Sequence, residues 1–304
     1  MSISSRKSKV SVEQFSCGFR RSLPCGQVSD LFPDILAGKD FRRLSEAIVT
    51  AKGRGKHVIF MLGGHVVKTG VSPLLVDLIE AGIVTGLAMN GACAIHDLEI
   101  AMWGETSEDV EEALEEGAFG MTAETAAFMS AAIEAAFSGT EGMGEALGKA
   151  LIAANAPFAA KSLIASCQAR GVPLTVHVAI GTDVTHQHAH ASGKAIGETS
   201  MRDFRLFASL VERIRDGVVL NVGSAVILPE VFLKAVAVAR NKGVRLWPFT
   251  SANLDMIQHY RPLKNVVQRP TSIGKGSVGI ALTGHHELLI PLLVASVLHK
   301  LKGP

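Results

Sequence analysis

Short apolar runs alternate with longer amphipathic segments along most of this chain. Uninterrupted apolar runs are typical of strands buried on both faces, and the spacing of apolar residues between them is typical of helices. Alternation of this kind predicts right-handed crossovers in a three-layer α/β fold, with a mostly parallel sheet between two layers of helices. The predicted strands span residues 57–62, 83–89, 173–180, 218–222, 244–249 and 278–282.

Helices are predicted in most of the intervals between these strands. Ser72 is a candidate N-cap with Pro73 at the first helical position, and Ser107 opens an acidic stretch that resembles a capping box. The predicted helices span residues 40–52, 72–81, 121–137, 144–154, 200–215 and 228–242, and a further helix begins near residue 107.

Composition narrows the class of protein. The 304 residues are 48% apolar and 19% charged with a net charge of +2, so no electrostatic surface for nucleic acid is expected. Neither a secretory leader nor an apolar run of about 18 residues stands out, which predicts a cytoplasmic protein without a membrane partner. Four cysteines without close pairing predict free thiols in a reducing compartment. Residues 1–30 are expected to form a basic N-terminal arm, and residues 31–304 a single α/β domain.

Glycine or small polar residues follow each predicted strand. The carboxyl ends of parallel strands meet at one edge of a sheet, where helix N-termini point at ligands. We therefore expect one shared ligand crevice, although no GxGxxG or GxxxxGK[ST] motif occurs. The strand ends are Gly63-Gly64, Asn90-Gly91, Gly181-Thr182-Asp183, Gly223-Ser224, Thr250 to Asn253 and Thr283 to His286.

Histidines are concentrated near two of these ends. His186, His188 and His190 alternate with other residues, so an extended backbone would place them on one face, within reach of a metal ion. Solvated histidines that position a ligand, or a neutral imidazole that serves as a general base, explain the same pattern. Cys93 is considered as a nucleophile, with a small packing side chain as the alternative.

Several segments resemble the deoxyhypusine synthase family, over a span from about His57 to His299. Residues 89–98 (MNGACAIHDL) stand where that family has TTAGG followed by VEEDL, and residues 269–276 (RPTSIGKG) align imperfectly with its WGK motif. The other matching segments are 68–79 (KTGVSPLLVDLI, against SSGLRD), 181–183 (GTD, against TDGS), 221–225 (NVGSA, against a glycine triplet), 251–253 (SAN, against NTAQ) and 290–295 (IPLLVA, against FPLLVAETF).

The resemblance implies a deoxyhypusine synthase-like NAD-binding fold, an NAD pocket lined by the strand ends, and a homotetramer or dimer with sites at a subunit interface. It also implies that Lys275 corresponds to the lysine that forms an imine in the family. The implied cofactor-binding residues are Gly64, His65, Thr69, Asn90, Gly91, Ala92, Asp97, Asp183, Gly223, Ser224, Ser251, Ala252 and His285.

Departures from the family pattern indicate a different substrate. Ile95 and His96 replace its acidic pair, and His285 replaces an aspartate of a late turn. We expect an NAD-binding enzyme that acts at an amine or alcohol carbon of a small substrate other than the usual polyamine and lysine pair. His96, Asp183 or His285 would move the proton, and Lys275 would trap the product. The alternatives are a histidine-rich, metal-dependent hydrolase or lyase, and a nucleotide-binding regulatory protein without chemistry.

Overall fold

A computed structural model describes residues 25–301 of the chain, and its centre is a six-stranded sheet in which all neighbouring strands are parallel. The strand order is β3-β2-β1-β4-β5-β6. The α/β fold with a mostly parallel sheet, predicted from the apolar pattern, is confirmed. The strands are β1 Val58–Leu62, β2 Gly86–Asn90, β3 Leu174–His177, β4 Val218–Val222, β5 Thr250–Asp255 and β6 Val278–Thr283.

Helices connect the strands and cover both faces of the sheet. They are α1 Leu36–Gly53, α2 Gly64–Lys68, α3 Ser72–Glu80, α4 Gly91–Trp103, α5 Val110–Glu115, α6 Ala123–Phe137, α7 Met143–Ala153, α8 Leu163–Arg170, α9 Gly193–Val211, α10 Ile227–Asn241, α11 Tyr260–Pro262 and α12 His286–Leu301. Short 3-10 helices occupy Cys25–Leu31, Ala159–Lys161 and Val184–Gln187, and a π-helix occupies Leu263–Gln268.

Alternate residues of the strands face two separate apolar layers. Phe60 and its neighbours on one face pack against α1, α3, α4, α7, α8 and α12. Ile59 and Met61 point to the other face, where Phe207 of α9 and Phe232 of α10 cover them. Both faces of β1 and β4 are therefore buried, which explains why their sequences are apolar except at Asn221.

The prediction for the fifth strand is wrong. Residues 244–249 lie before the strand. The strand itself is β5, whose sequence is largely polar although five of its six residues are buried. Pro248 has no N–H to offer a ladder, which disfavours a central strand there. The hydroxyl of Ser251 donates to the carbonyl oxygen of Val266 at 2.8 Å, so burial leaves this polar group paired.

Two helix starts also differ from the predicted ones. Val71 occupies the N-cap of α3, whereas Ser72 lies inside the helix with a buried hydroxyl that has no partner. Asp109 caps α5 by accepting from the backbone N–H groups of Glu111 and Glu112, and Ser107 lies before it with φ of 75°. Asp109, two residues after the predicted Ser107, is therefore the cap, and its carboxylate accepts two N–H groups at once.

A chain of side-chain amides crosses the second half of the sheet. Asn221 Nδ2 of β4 donates to Asn253 Oδ1 of β5 at 2.7 Å. Asn253 Nδ2 donates to Gln258 Oε1 at 2.8 Å, and Gln258 Nε2 donates to the carbonyl oxygen of Leu282 in β6 at 3.0 Å. These bonds link the carboxyl ends of three neighbouring strands.

Side chains of α9 occupy the outer edge of β3. Asp203 Oδ2 accepts from the backbone N–H of Val176 at 2.7 Å and from that of Gly144, at the start of α7, at 2.9 Å. The hydroxyl of Ser200 donates to the carbonyl oxygen of Val176 at 3.4 Å. Asp203 is fully buried, and this burial raises its pKa to about 7, against the effect of the backbone hydrogen bonds.

This buried carboxyl predicts a loss of stability toward alkaline pH. The folded protein holds a proton on Asp203 up to about pH 7, whereas an unfolded chain releases it near 3.8. The stability contribution is therefore complete below the lower value and declines as pH rises through the higher one, by up to about 4 kcal/mol. Urea unfolding of the wild-type protein and Asp203→Asn at pH 5 and pH 8 measures the effect. We expect the variant to lose less stability across this interval, and equal losses would contradict the assignment.

An N-terminal arm was predicted for residues 1–30, and residues 1–24 of it lie outside the described residues. Within the described part, the Cys25–Leu31 helix packs on α12, where the hydroxyls of Ser29 and Ser296 are 2.9 Å apart. The division into an arm and a single domain stays a prediction. Among residues 25–301, every helix is too short or too polar to cross a membrane.

Candidate functional site

The strand order reverses direction between β1 and β4, so this is the point where α/β sheets of this kind form a crevice. The backbone N–H of Gly63 donates to the carbonyl oxygen of Val222 at 2.9 Å. A Cβ atom on Gly63 would lie 2.0 Å from the carbonyl oxygen of Gly223, and Gly223 itself has φ of 68°. Glycine at both positions allows the two backbones to approach this closely.

A buried carboxylate lies against the first residue of α4. The Asp183 side chain is packed so close to Gly91 that a Cβ atom there would lie 1.9 Å from Asp183 Oδ2. Asp183 is only 6% exposed, and its Oδ2 has no hydrogen-bond partner. Burial raises the pKa of Asp183 to about 6, in opposition to a hydrogen bond from Thr182. The positive end of the α4 dipole favours the ionised form.

Asp183 contributes to the wall of a cavity of about 240 Å³ between the β2 and β3 strand ends and the segment before α5. An adjoining, more open cavity of about 800 Å³ shares the side chains of Lys68, Glu99 and Glu108. Glu105 and Glu124 also line the larger cavity, so carboxylates outnumber cations in it.

Hydrogen bonds hold Glu99 in the wall between the two cavities. Its Oε1 accepts from the hydroxyl of Thr125 at 2.9 Å, and its Oε2 accepts from the hydroxyl of Thr106. Thr106 Oγ1 lies 2.7 Å from His96 Nδ1. Partial burial acts to raise the pKa of Glu99, but the hydrogen bonds from His96, Thr106 and Thr125 outweigh it and lower that pKa. Glu99 is therefore a fixed anion at neutral pH.

Some predicted site residues lie at this edge of the sheet. Gly64 faces α4, because a Cβ atom on it would lie 3.1 Å from His96 Cδ2 and 3.2 Å from Ala92 Cβ. The side chain of Asn90 caps α4 by accepting from the N–H of Cys93. The remaining residues of this group are Gly91 and Asp183 at the α4 N-terminus, His65 and Thr69 in and after α2, and Gly223 and Ser224 after β4.

Asp97, which we predicted to bind the cofactor, lies in the core. Its carboxylate accepts from the hydroxyl of Ser162 at 2.6 Å and from the N–H groups of Leu163 and Ile164 at 2.8 and 2.9 Å. Burial raises the pKa of Asp97, against these three hydrogen bonds. The residue therefore caps α8 and has no atom free for a ligand in the crevice.

Three other predicted positions also lie apart from the crevice. Ser251 and Ala252 are fully buried inside β5, because this strand begins six residues later than predicted. Lys275 is exposed in the turn before β6, at the edge of the sheet where the strands begin. The structure thus separates Lys275 from Asp183 and His96 within one chain.

The adjacent residues His285 and His286 lie in different environments, one exposed and one buried, which the sequence did not indicate. The His285 side chain is 62% exposed and lies 3.6 Å from Glu287. His286 is fully buried, with Nε2 at 3.3 Å from the carbonyl oxygen of Leu254 and its ring 5.5 Å from that of His65. Burial lowers the pKa of His286, against the effect of nearby Asp255. The sequence shows that two histidines follow β6, but it does not show which of the two rings is buried.

The three alternating histidines do not lie on one face. Val184–Gln187 is a 3-10 helix instead of the extended backbone that we predicted. His186 Nδ1 accepts from the N–H of Gly181, whereas His188 Nε2 lies 2.9 Å from the carbonyl oxygen of Gly120. His190 is exposed, with its ring 5.6 Å from that of His188. Across residues 25–301, no three histidine, cysteine, aspartate or glutamate side chains are grouped to hold a metal ion.

Cys93, the candidate nucleophile, is fully buried at the start of α4. Burial raises its pKa well above the usual value, with a smaller contribution from the charge of Asp97. A thiol in this environment stays protonated and unreactive, which supports the packing alternative.

Comparisons with known proteins identify similar folds. No family model matches the sequence, and no curated protein matches it. A candidate LOR/SDH protein from Methanococcus maripaludis has a TM-score of 0.54 at 15% identity, over 88% of this chain and 71% of that one. AgrE, solved in a ternary complex with ornithine and NAD⁺, has a TM-score of 0.53 at 15% identity over 87% of this chain, which spans only 33% of AgrE. A candidate deoxyhypusine synthase from Entamoeba histolytica has a TM-score of 0.52 at 10% identity, over 86% and 88% of the two chains.

Proposed function

We propose that this protein binds NAD at the β1–β4 crevice and oxidises, or transfers a group from, a carbon next to an amine in a small substrate. The observation that supports the proposal most directly is the unpaired carboxylate of Asp183. It lies at a helix N-terminus, beside a cavity, at the carboxyl edge of a 3-2-1-4-5-6 sheet. Buried acids with raised pKa values are typical of sites that move protons.

The residues around the crevice fit a dinucleotide. Gly63 and Gly223 let the ends of β1 and β4 approach closely, and the half-buried Gly64 and Gly223 carry no side chain that would cover the backbone there. We assign the phosphates to this side, because the carboxylates of the neighbouring cavity would repel them. When bound, the nicotinamide ring would supply a hydride acceptor.

The acidic cavity favours an amine over an alcohol as the reacting group. Glu99, Glu105, Glu108 and Glu124 would attract an ammonium group, and Lys68 would be the one cation beside it. Asp183 would accept the proton that the substrate loses, with His96 as a second group within the same cavity.

Lys275 is not part of this proposal, since it lies at the opposite edge of the sheet. The homo-oligomer and the cytoplasmic location stay predictions. The metal-dependent alternative is not favoured by any arrangement of side chains in residues 25–301.

Calorimetric titration with NAD tests the cofactor, and Asp183→Ala tests the site. We expect saturable binding of one NAD per chain, and an affinity lower by about 10-fold or more in the variant, as for the loss of a hydrogen bond to a charged group. Asp77→Ala, which removes an exposed carboxylate from α3, is the matched control and should bind NAD like the wild type.

The outcomes separate the candidate functions. No NAD binding, together with a stoichiometric divalent ion in untagged protein, would replace the proposal with a metal-dependent enzyme. Binding of NAD without NADH formation from any primary or secondary amine would favour the regulatory alternative.

A further inference from the structure

His186 lies next to Asp183, on the side away from the cavity of about 240 Å³ that Asp183 shares with His96. Its Nδ1 accepts from the backbone N–H of Gly181 at 3.3 Å, so the neutral ring carries its proton on Nε2. That nitrogen lies 4.0 Å from Asp183 Oδ2, and the two side chains are only 9% and 5% exposed. The donor therefore lies near the oxygen that has no partner, but it is too distant for a direct hydrogen bond.

A third cavity lies beside these two groups; it is more enclosed than the other two, and we call it the closed cavity. Its volume of about 10 Å³ is close to the smallest that holds one water molecule. Asp183, His186, Thr185 and Ser130 supply polar groups to its wall, and the remainder of the lining from α4, α6, α7 and α9 is apolar or glycine. A single water here would have the two to four polar partners that buried waters require.

We propose that His186 is a positioning residue that acts on Asp183 through one water molecule in this closed cavity. His186 Nε2–H donates to the water, and the water donates to Asp183 Oδ2, which leaves Oδ1 for the ligand in the larger cavity. No covalent bond forms or breaks. The inference rests on the proposed role of Asp183 and adds how its charge is maintained inside the protein.

Hydrogen bonds to a carboxylate stabilise its ionised form, so this contact would lower the pKa that burial raises. The charged groups on the other side of Asp183 are Lys68, His96, Glu99 and Glu108, which line the larger cavity. Among the described residues that line the closed cavity, Asp183 and His186 are the titratable ones. Removing the imidazole of His186 therefore changes the surroundings of Asp183 in the closed cavity and leaves its surroundings in the larger cavity unchanged.

The test is a ¹³C NMR pH titration of the Asp183 carboxyl, whose signal is identified by its loss in Asp183→Asn. In His186→Phe, which keeps a ring but no donor, we expect the pKa of Asp183 to rise by about one pH unit. His186→Gln keeps an N–H near the Nε2 position and should restore most of the wild-type value. His188→Phe is the matched control, because His188 contacts Gly120 and does not line the closed cavity.

Ala191→Val addresses the water itself and also serves if His186→Phe fails to fold. Ala191 lines the closed cavity, so a larger side chain would exclude the water while His186 stays in place. We expect the same rise in the pKa of Asp183. An unchanged value in His186→Phe would overturn the role of His186, and an unchanged value in Ala191→Val would overturn the water. These titrations need no cofactor. A failure to bind NAD would therefore refute the proposed function, but it would not change the titration result for Asp183 and His186.

Discussion

Replacing Asp97 with alanine is expected to lower the free energy of unfolding by about 3–5 kcal/mol. The carboxylate accepts three hydrogen bonds from Ser162, Leu163 and Ile164 in a fully buried position. Its removal leaves two backbone N–H groups and the hydroxyl proton of Ser162 without acceptors, and each unpaired buried donor costs about 1–3 kcal/mol. Urea unfolding at pH 7 measures the loss.

The Asp97→Asn variant is the matched control. The amide has the same size and keeps one accepting oxygen, so its loss of stability should be about half as large or less. NAD affinity per folded molecule should stay at the wild-type value in both variants. Wild-type stability combined with lost NAD binding would restore the role in cofactor binding that the sequence suggested for Asp97.

Gly63→Ala is expected to destabilise the protein by about 3 kcal/mol or more. The new Cβ atom would lie 2.0 Å from a backbone oxygen of Gly223, and a backbone group cannot rotate out of the way as a side chain can. The β1–β4 contact must therefore widen. Because the proposed phosphate site lies on this contact, NAD affinity should fall as well. Urea unfolding and calorimetry measure the two effects.

Gly197→Ala provides the control for this substitution. Gly197 lies within α9, and a Cβ atom there would meet nothing within 4 Å. Alanine in a helix interior is favoured over glycine by about 1 kcal/mol, so this variant should be slightly more stable than the wild type. If Gly63→Ala were as stable as Gly197→Ala, the close approach of β1 and β4 would be refuted.

The apolar runs predicted most of the sheet because burial on both faces leaves a simple pattern. The predicted strand 218–222 matches β4, and residues 278–282 match β6 to within one residue. β5 could not be found in this way, since TSANLD is polar and its side chains are satisfied by partners distant in sequence, such as Val266. The order of the strands likewise depends on contacts between segments and not on local pattern.

The candidate site was predictable only where it depends on the ends of strands. Gly63, Gly91 and Asp183 follow predicted strands and do lie at the carboxyl edge. The position of Asp97 was not predictable, because a buried acid that caps a helix distant in sequence has the same sequence appearance as one that binds a ligand. Lys275 precedes a strand, which places it at the other edge of the sheet within this chain, so its predicted role stays a prediction.

The outer edge of β3 limits how this protein can associate. An open strand edge is a template for the strand of another chain, and proteins block it to avoid aggregation. Here the N–H and the carbonyl oxygen of Val176 are already bonded to Asp203 and Ser200. A second copy therefore cannot extend the sheet at this position without first displacing α9, so an oligomer that uses this side of the molecule must be built from helices and loops.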